Sequence, residues 1–224
     1  MAAVPLMFGA GAQGPATLRV PPLAGAVTPD GSLDEPCYAA NTPLTAFVDA
    51  ADPKAPVPAT RAWAFWSDDG LTVAFDCNDP SPAAAAPSGD EKDVDPQDRV
   101  ELFLWSGKEG APYYCVEIAA KGAIHDYKAR FYRKFDDGWS PEGLVAKASA
   151  KKGGYAVEAF FPRRALEAMG FPLRPGSTWR AGLFRADFDR LGGTPTWITW
   201  VDPRTEKPDF HVAGAFGTFE LTGR

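Results

Sequence analysis

The feature that most restricts how this chain can fold is a long succession of short segments in which apolar and polar residues alternate, each closed off by Gly, Pro or Asp-Gly. Alternation with a period of two places one set of side chains on each face of a strand, and turn residues at this spacing favour hairpins over helices. Such segments occupy residues 17–20, 60–67, 71–77, 100–105, 113–119, 124–133, 144–149, 155–161, 178–188, 196–201 and 218–221. They predict about ten or eleven strands, a number that makes two packed sheets. The expected fold class is therefore all-β, an antiparallel β-sandwich with one short crossover helix over residues 163–169. That helix is entered through Pro162 and stopped by Gly170 and Pro172. Asp30-Gly31 reads as a turn, with Asp34 placed to cap a short helical stretch through Ala40. Asp68-Asp69-Gly70 reads as a hairpin connection that sends Trp63 and Phe65 to one face and Trp66 to the other.

With 224 residues the chain can bury a sizeable core, and a β-sandwich of this length commonly forms one domain, here residues 13–224. The first twelve residues, MAAVPLMFGAGA, are apolar and small, and Ala10-Gly11-Ala12 has the form of a signal-peptidase site, although no charged segment precedes it. They read either as the end of a secretory signal or as an N-terminal arm. The first reading predicts a secreted or periplasmic protein. A net charge of −6 offers no basic footprint for nucleic acid, and no other stretch is apolar for the ~18 residues a membrane helix needs. A monomer is expected.

Chemistry and core meet in DEKDVDPQDRVELFLW, residues 90–105, where a run of carboxylates passes directly into a strand. Alternation puts Val100, Leu102 and Leu104 on one face and Glu101, Phe103 and Trp105 on the other. A carboxylate beside aromatic rings suits a polyhydroxylated ligand, because rings stack on apolar C–H faces while the anion accepts hydrogen bonds from hydroxyls. It equally suits a strand buried on both sides with Glu101 paired. Arg185, inside a strand, requires a carboxylate partner, either in a structural ion pair or in a bidentate hold on a ligand. Three positions separate Trp197 from Trp200, so one of them faces the core. Cys37, Cys77 and Cys115 have no metal-ligand spacing and read as buried free thiols, with one disulfide as the alternative. His125 and His211, the only histidines, read as satisfied side chains. Asp90, Asp93, Asp95 and Asp98 supply the oxygens calcium favours but lack an EF-hand spacing, so no cofactor is expected and calcium is the alternative.

Five stretches in order carry a resemblance: DGSLDE at residues 30–35, LTVAFDCND at 71–79, DRVELFL at 98–104, YAVEAFFP at 155–162 and PDFHVAGAFG at 208–217. Together they resemble the family 9 carbohydrate-binding modules and their stand-alone relatives. The resemblance spans about residues 27–221 and implies a β-sandwich that holds sugars between aromatic rings without catalysis, in the service of polysaccharide degradation. It gives Glu101 the role of hydroxyl-binding carboxylate. The family's two stacking tryptophans fall on about Asp95 and on Phe210, and an arginine falls near Cys115. An aromatic platform is therefore expected from Trp200, Phe210, His211 and Trp105, and Arg185 and Gln97 complete the candidate ligand-binding set with Glu101. No catalytic residue is assigned. Two alternatives stand beside this reading: a glycosidase using Glu101, Glu117 and Asp98, which needs two carboxyls ~5 to 9 Å apart across a cleft, and a haem-binding sandwich using Met169.

Overall fold

The structure, a computed structural model, describes residues 16–23, 25 and 27–223, so the expectation for residues 1–12 lies outside the described residues. In chain order the elements are β1 (Thr17–Val20), α1 (Pro36–Ala40), β2 (Val48–Asp49), β3 (Thr60–Trp66), β4 (Gly70–Asn78), β5 (Arg99–Trp105) and β6 (Tyr113–Ala119). There follow β7 (Ile124–Arg130), β8 (Lys134–Asp136), β9 (Val145–Lys151), β10 (Gly154–Pro162), α2 (Arg163–Ala168), β11 (Thr178–Phe188), β12 (Pro195–Thr199) and β13 (Gly217–Leu221). Short 3-10 turns lie at Glu91–Val94 and Ala213–Ala215. One sheet runs β1-β13-β11-β5-β6-β7-β8, with β12 paired to β11 and β2 to β12, and the other runs β3-β4-β10-β9. This is the all-β sandwich that the alternation predicts.

Four details differ. β2 and β8 have two and three residues, too few to show a period. β1 pairs with β13 in parallel, unlike the other pairings between strands. The short helix expected through Ala40 forms as α1, but with Glu35 rather than Asp34 at its N-cap, and Pro36 occupies the first turn, where its missing N–H costs nothing. β7 stops at Arg130, and residues 131–133 form a turn, with Arg133 at φ of 52°, that leads into β8.

Alternation decides which side chains meet between the sheets. Val100, Leu102 and Leu104 of β5 and Val116 and Ile118 of β6 pack with Val73, Phe75 and Cys77 of β4 and Tyr155, Val157 and Phe161 of β10. Trp63 and Phe65 turn outward to meet Cys37 and Tyr38 of α1, while Trp66 joins the inter-sheet core. The three cysteines are buried free thiols, each in a different cluster, so the disulfide alternative does not arise.

One buried carboxylate fastens the N-terminal excursion to the smaller sheet. Glu158 of β10, fully buried, accepts hydrogen bonds from the Asp30 and Gly31 backbone N–H groups, both at 2.9 Å, and from the Tyr38 hydroxyl at 2.6 Å. Gly31 has φ of 89°, and a Cβ there would stand 2.8 Å from the Ala148 backbone, so only glycine permits this approach. The first and fourth resembling stretches are therefore one physical unit. Glu158→Ala leaves two N–H groups and a hydroxyl without their acceptor and is expected to cost about 3 kcal/mol. Thermal unfolding should show Tm lower by roughly 6–12 °C, and an unchanged Tm would show that the clasp contributes nothing.

Candidate functional site

In the middle of the larger sheet, at β5 and β6, the outward face is buried as well as the inner one, because Phe210, Ala215 and Phe216, from the segment that crosses it, pack over it. Strand register sets its composition. Glu101 lies opposite Phe184 on one side and Glu117 on the other, and Glu117 lies opposite His125. One step along, Arg99 lies opposite Ala186, which lies opposite Trp197. On the other side of Glu101, Phe103 lies opposite Cys115, which lies opposite Tyr127. Polar groups thus collect at one end of a face that is otherwise aromatic.

Arg99 is the centre of that end. Its Nε lies 2.9 Å from Glu101 Oε1 and 2.7 Å from Glu117 Oε2, and its Nη1 donates to the Asp95 carbonyl at 2.6 Å. The guanidinium also lies over the Trp197 ring, 5.6 Å from its centroid. Tyr127 donates its hydroxyl to Glu117 Oε1 at 2.7 Å, and His125 Nδ1 meets Asp95 Oδ1 at 2.9 Å. One guanidinium therefore serves two buried carboxylates. Burial, then the charge of Glu117, push the Glu101 carboxyl up to about 8 against the opposing pull of Arg99. Burial lowers the His125 imidazole pKa, but its bond to Asp95 and the charge of Glu117 outweigh this and raise it.

The wall comes from the crossing segment. Phe210 stacks on Phe184, ring centroids 4.1 Å apart and planes within 12°, and meets Trp197 edge-on at 5.4 Å. Gly182 makes the stack, since a Cβ there would come within 2.3 Å of the Phe184 ring. His211 packs on Phe103 at 5.1 Å and pairs its Nδ1 with the Tyr113 hydroxyl at 3.0 Å. Burial, with the nearby Arg133 charge, brings His211 down to about 4, so it is neutral at neutral pH. Asp209 anchors the segment by accepting from Tyr132 at 2.7 Å, Arg133 at 2.8 Å and the His211 backbone N–H at 2.9 Å. Those bonds hold its carboxyl low despite its burial. Between floor and wall lies a cavity of about 410 Å³.

Of the seven residues expected at a site, Glu101, Phe210 and His211 line this cavity. The other four stand elsewhere. Trp105 is on the same face but packs against Phe131 and Phe216 at its far end. Gln97 is buried, donating to the Asp93 carbonyl and accepting from the Ala85 N–H, so it ties loop to loop. Arg185 is fully buried on the inner face, pairing with Asp187, donating to Thr60 and Asn78, and lying over Tyr155. Trp200 follows the end of β12 and turns into the inter-sheet core against Phe219, so the four-membered platform does not assemble. Trp197, the other member of that pair, is the one in the cavity wall.

Arg99, Glu117, His125, Tyr127 and Asp95 were outside the expected set. Each stands at a strand position, or just before one, that presents a polar group on the aromatic face, a signal visible only once register is known. The acidic run also disperses. Asp90 caps the 3-10 turn, Asp93 accepts from Ser88, Asp95 holds His125, and Asp98 turns inward to the backbone N–H groups of Ala83 and Phe188. Among the described residues two sets offer potential ligand atoms within 4.8 Å of one another: Asp95, Glu117 and His125, and Asp79, Asp98 and Asp187. The second is served by Arg185 and those two backbone N–H groups. Met169 lies in the inter-sheet core, away from any cavity described here.

Phe210 is 5% exposed and stacked, so the wall is also core. Phe210→Ala is expected to cost about 3–5 kcal/mol of stability, read as a lower midpoint in urea unfolding. A midpoint equal to that of the unaltered protein would mean that the stack does not hold the segment.

A family described as carbohydrate family 9 binding domain-like matches residues 30–224. Among solved structures the chain is similar to a candidate carbohydrate-binding protein from Bacteroides uniformis ATCC 8492, with TM-score 0.73, 18% identity, and 93% of this chain and 100% of that one covered. It is also similar to a family 9 carbohydrate-binding module from Caldicellulosiruptor kristjanssonii in complex with cellotriose, with TM-score 0.66, 16% identity, and 93% and 95% covered. A family 9 carbohydrate-binding module from the same organism in complex with glucose gives TM-score 0.58 at 16% identity, with 92% and 97% covered. No curated protein matches the chain. At these identities the solved structures speak for the fold, and the match over residues 30–224 carries the assignment: the chain belongs to the carbohydrate family 9 binding domain-like family.

Proposed function

We propose that the protein binds carbohydrate in the cavity over Arg99, Glu101 and Glu117, and that it does so as a binding module without cleaving its ligand. The observation that carries this reading is the cavity's two-sided make-up. Trp197, Phe210 and His211 offer aromatic surface for the apolar side of a sugar, while Asp95 and Glu117 offer carboxylate oxygens for its hydroxyls. Family membership points the same way, as do the cellotriose and glucose bound by the Caldicellulosiruptor modules.

The arrangement of the carboxylates favours binding over hydrolysis. Glu101 and Glu117 share one guanidinium nitrogen and sit side by side on neighbouring strands. A glycosidase needs its two carboxyls on opposite sides of the scissile bond. The reading extends to a secreted or periplasmic monomer acting in polysaccharide degradation, with residues 13–224 as one domain. Ala10-Gly11-Ala12 supports the location, and no helix of the described residues is long and apolar enough to cross a membrane.

Calorimetric titration with glucose and cello-oligosaccharides tests the proposal. A saturable, one-to-one isotherm is expected for at least one of them. Trp197→Ala should weaken it by about 1–3 kcal/mol, by analogy with aromatic stacking on other ring ligands. Binding that is indifferent to Trp197 would place the sugar elsewhere.

A further inference from the structure

The cavity has a neighbour on the side of the β7–β8 turn. Arg133, Pro208 and Asp209 line the cavity and also line a second hollow of about 570 Å³, together with Tyr132, Glu206 and Lys207. The ion pair of Arg133 with Asp209, at 2.8 Å, therefore stands as a sill between the two. A chain of sugars that leaves the cavity over this pair enters the second hollow.

The β7–β8 hairpin equips both hollows with aromatic surface. Among the described residues four large apolar side chains stand exposed, Tyr132, Phe135, Val145 and Leu191, and the two aromatic ones belong to this hairpin. Phe135, 46% exposed, lines the cavity, and Tyr132, 61% exposed, lines the second hollow. Phe131 packs inward instead, stacked on Tyr113 with ring centroids 4.6 Å apart. Tyr132 is left in water, yet it is held in place. Its hydroxyl donates to Asp209 at 2.7 Å and accepts from Arg133 Nε at 3.1 Å, and the guanidinium lies 5.6 Å from the ring centroid. An exposed ring fastened at its polar end keeps apolar surface open, and it has little side-chain freedom to lose when a ligand stacks on it. Beside it, Glu206 and Lys207 are exposed and make no hydrogen bond or ion pair with the described residues, so both are available to hydroxyls.

We propose that the second hollow is a subsite for a further sugar unit stacked on Tyr132, so that the ligand is an oligosaccharide or a polysaccharide end lying across the Arg133–Asp209 pair rather than a single sugar. This deepens the carbohydrate-binding reading and rests on it. The test is calorimetric titration of the full chain with glucose, cellobiose, cellotriose and cellotetraose. Affinity should rise about tenfold from glucose to cellotetraose, the gain expected of one further stacked ring. In Tyr132→Ala the ratio of cellotetraose to glucose affinity should lose most of that gain. Tyr132→Phe keeps the ring but gives up the bond to Asp209, and it should keep the gain, which separates stacking from the anchoring of the crossing segment. Equal affinities for glucose and cellotetraose, a ratio that Tyr132→Ala leaves unchanged, or one that Tyr132→Phe lowers as far as alanine does, would overturn the inference and leave sugar binding standing. Binding of none of the four sugars would remove both.

Discussion

The outward face of the larger sheet depends on Arg99 and the two carboxylates it bridges. Two glutamates on adjacent strands, both almost wholly removed from water, cannot both stay ionised at little cost, and burial with the charge of Glu117 pushes the Glu101 carboxyl up to about 8. Such a pair persists only where a cation and well-aimed donors compensate. Arg99 supplies the cation, Tyr127 a hydroxyl, and the Trp197 ring a face for the guanidinium. With the charges held there, Phe103, Tyr113, Phe184 and Phe216 can cover the rest of the sheet and residues 202–216 can settle over it. The cavity is what remains where the polar end cannot be covered by rings.

The same constraint explains why the site sits on a sheet face. A sandwich usually leaves the outward side of each sheet to water. Here β5 and β6 are buried on both sides, so the alternation that separates Leu102 from Glu101 divides two packed environments rather than core from solvent. Both readings of Glu101 at the level of sequence, ion-paired strand residue and part of a ligand site, describe the same side chain: it is paired with Arg99 and it lines the cavity.

Much of the fold was legible because it rests on local periodicity. The limits of β1, β6 and β11 follow from alternation and turn residues, as do the opposite faces of Trp63 and Trp66. The site was less legible because it rests on register. Alternation says that Glu117 and Cys115 share a face, but only the pairing of β5, β6 and β7 brings Glu101, Glu117 and His125 into one row. A one-residue slip would have dispersed them. Trp197 and Trp200 show the same limit. Their spacing requires that one be core, yet the end of β12 at Thr199 decides which. Phe210 was open to packing and to binding, and the space that Gly182 leaves for the Phe184 ring lets it pack while its edge still borders the cavity.

Thermal unfolding of Arg99→Met tests most directly whether this buried bridge organises the face. Methionine keeps much of the volume and removes the charge, leaving Glu101 and Glu117 side by side without a cation. A loss of about 3–5 kcal/mol is predicted, largely restored when both glutamates are also replaced by glutamine. An Arg99→Met protein as stable as the original, or a triple variant no more stable than the single one, would contradict the account.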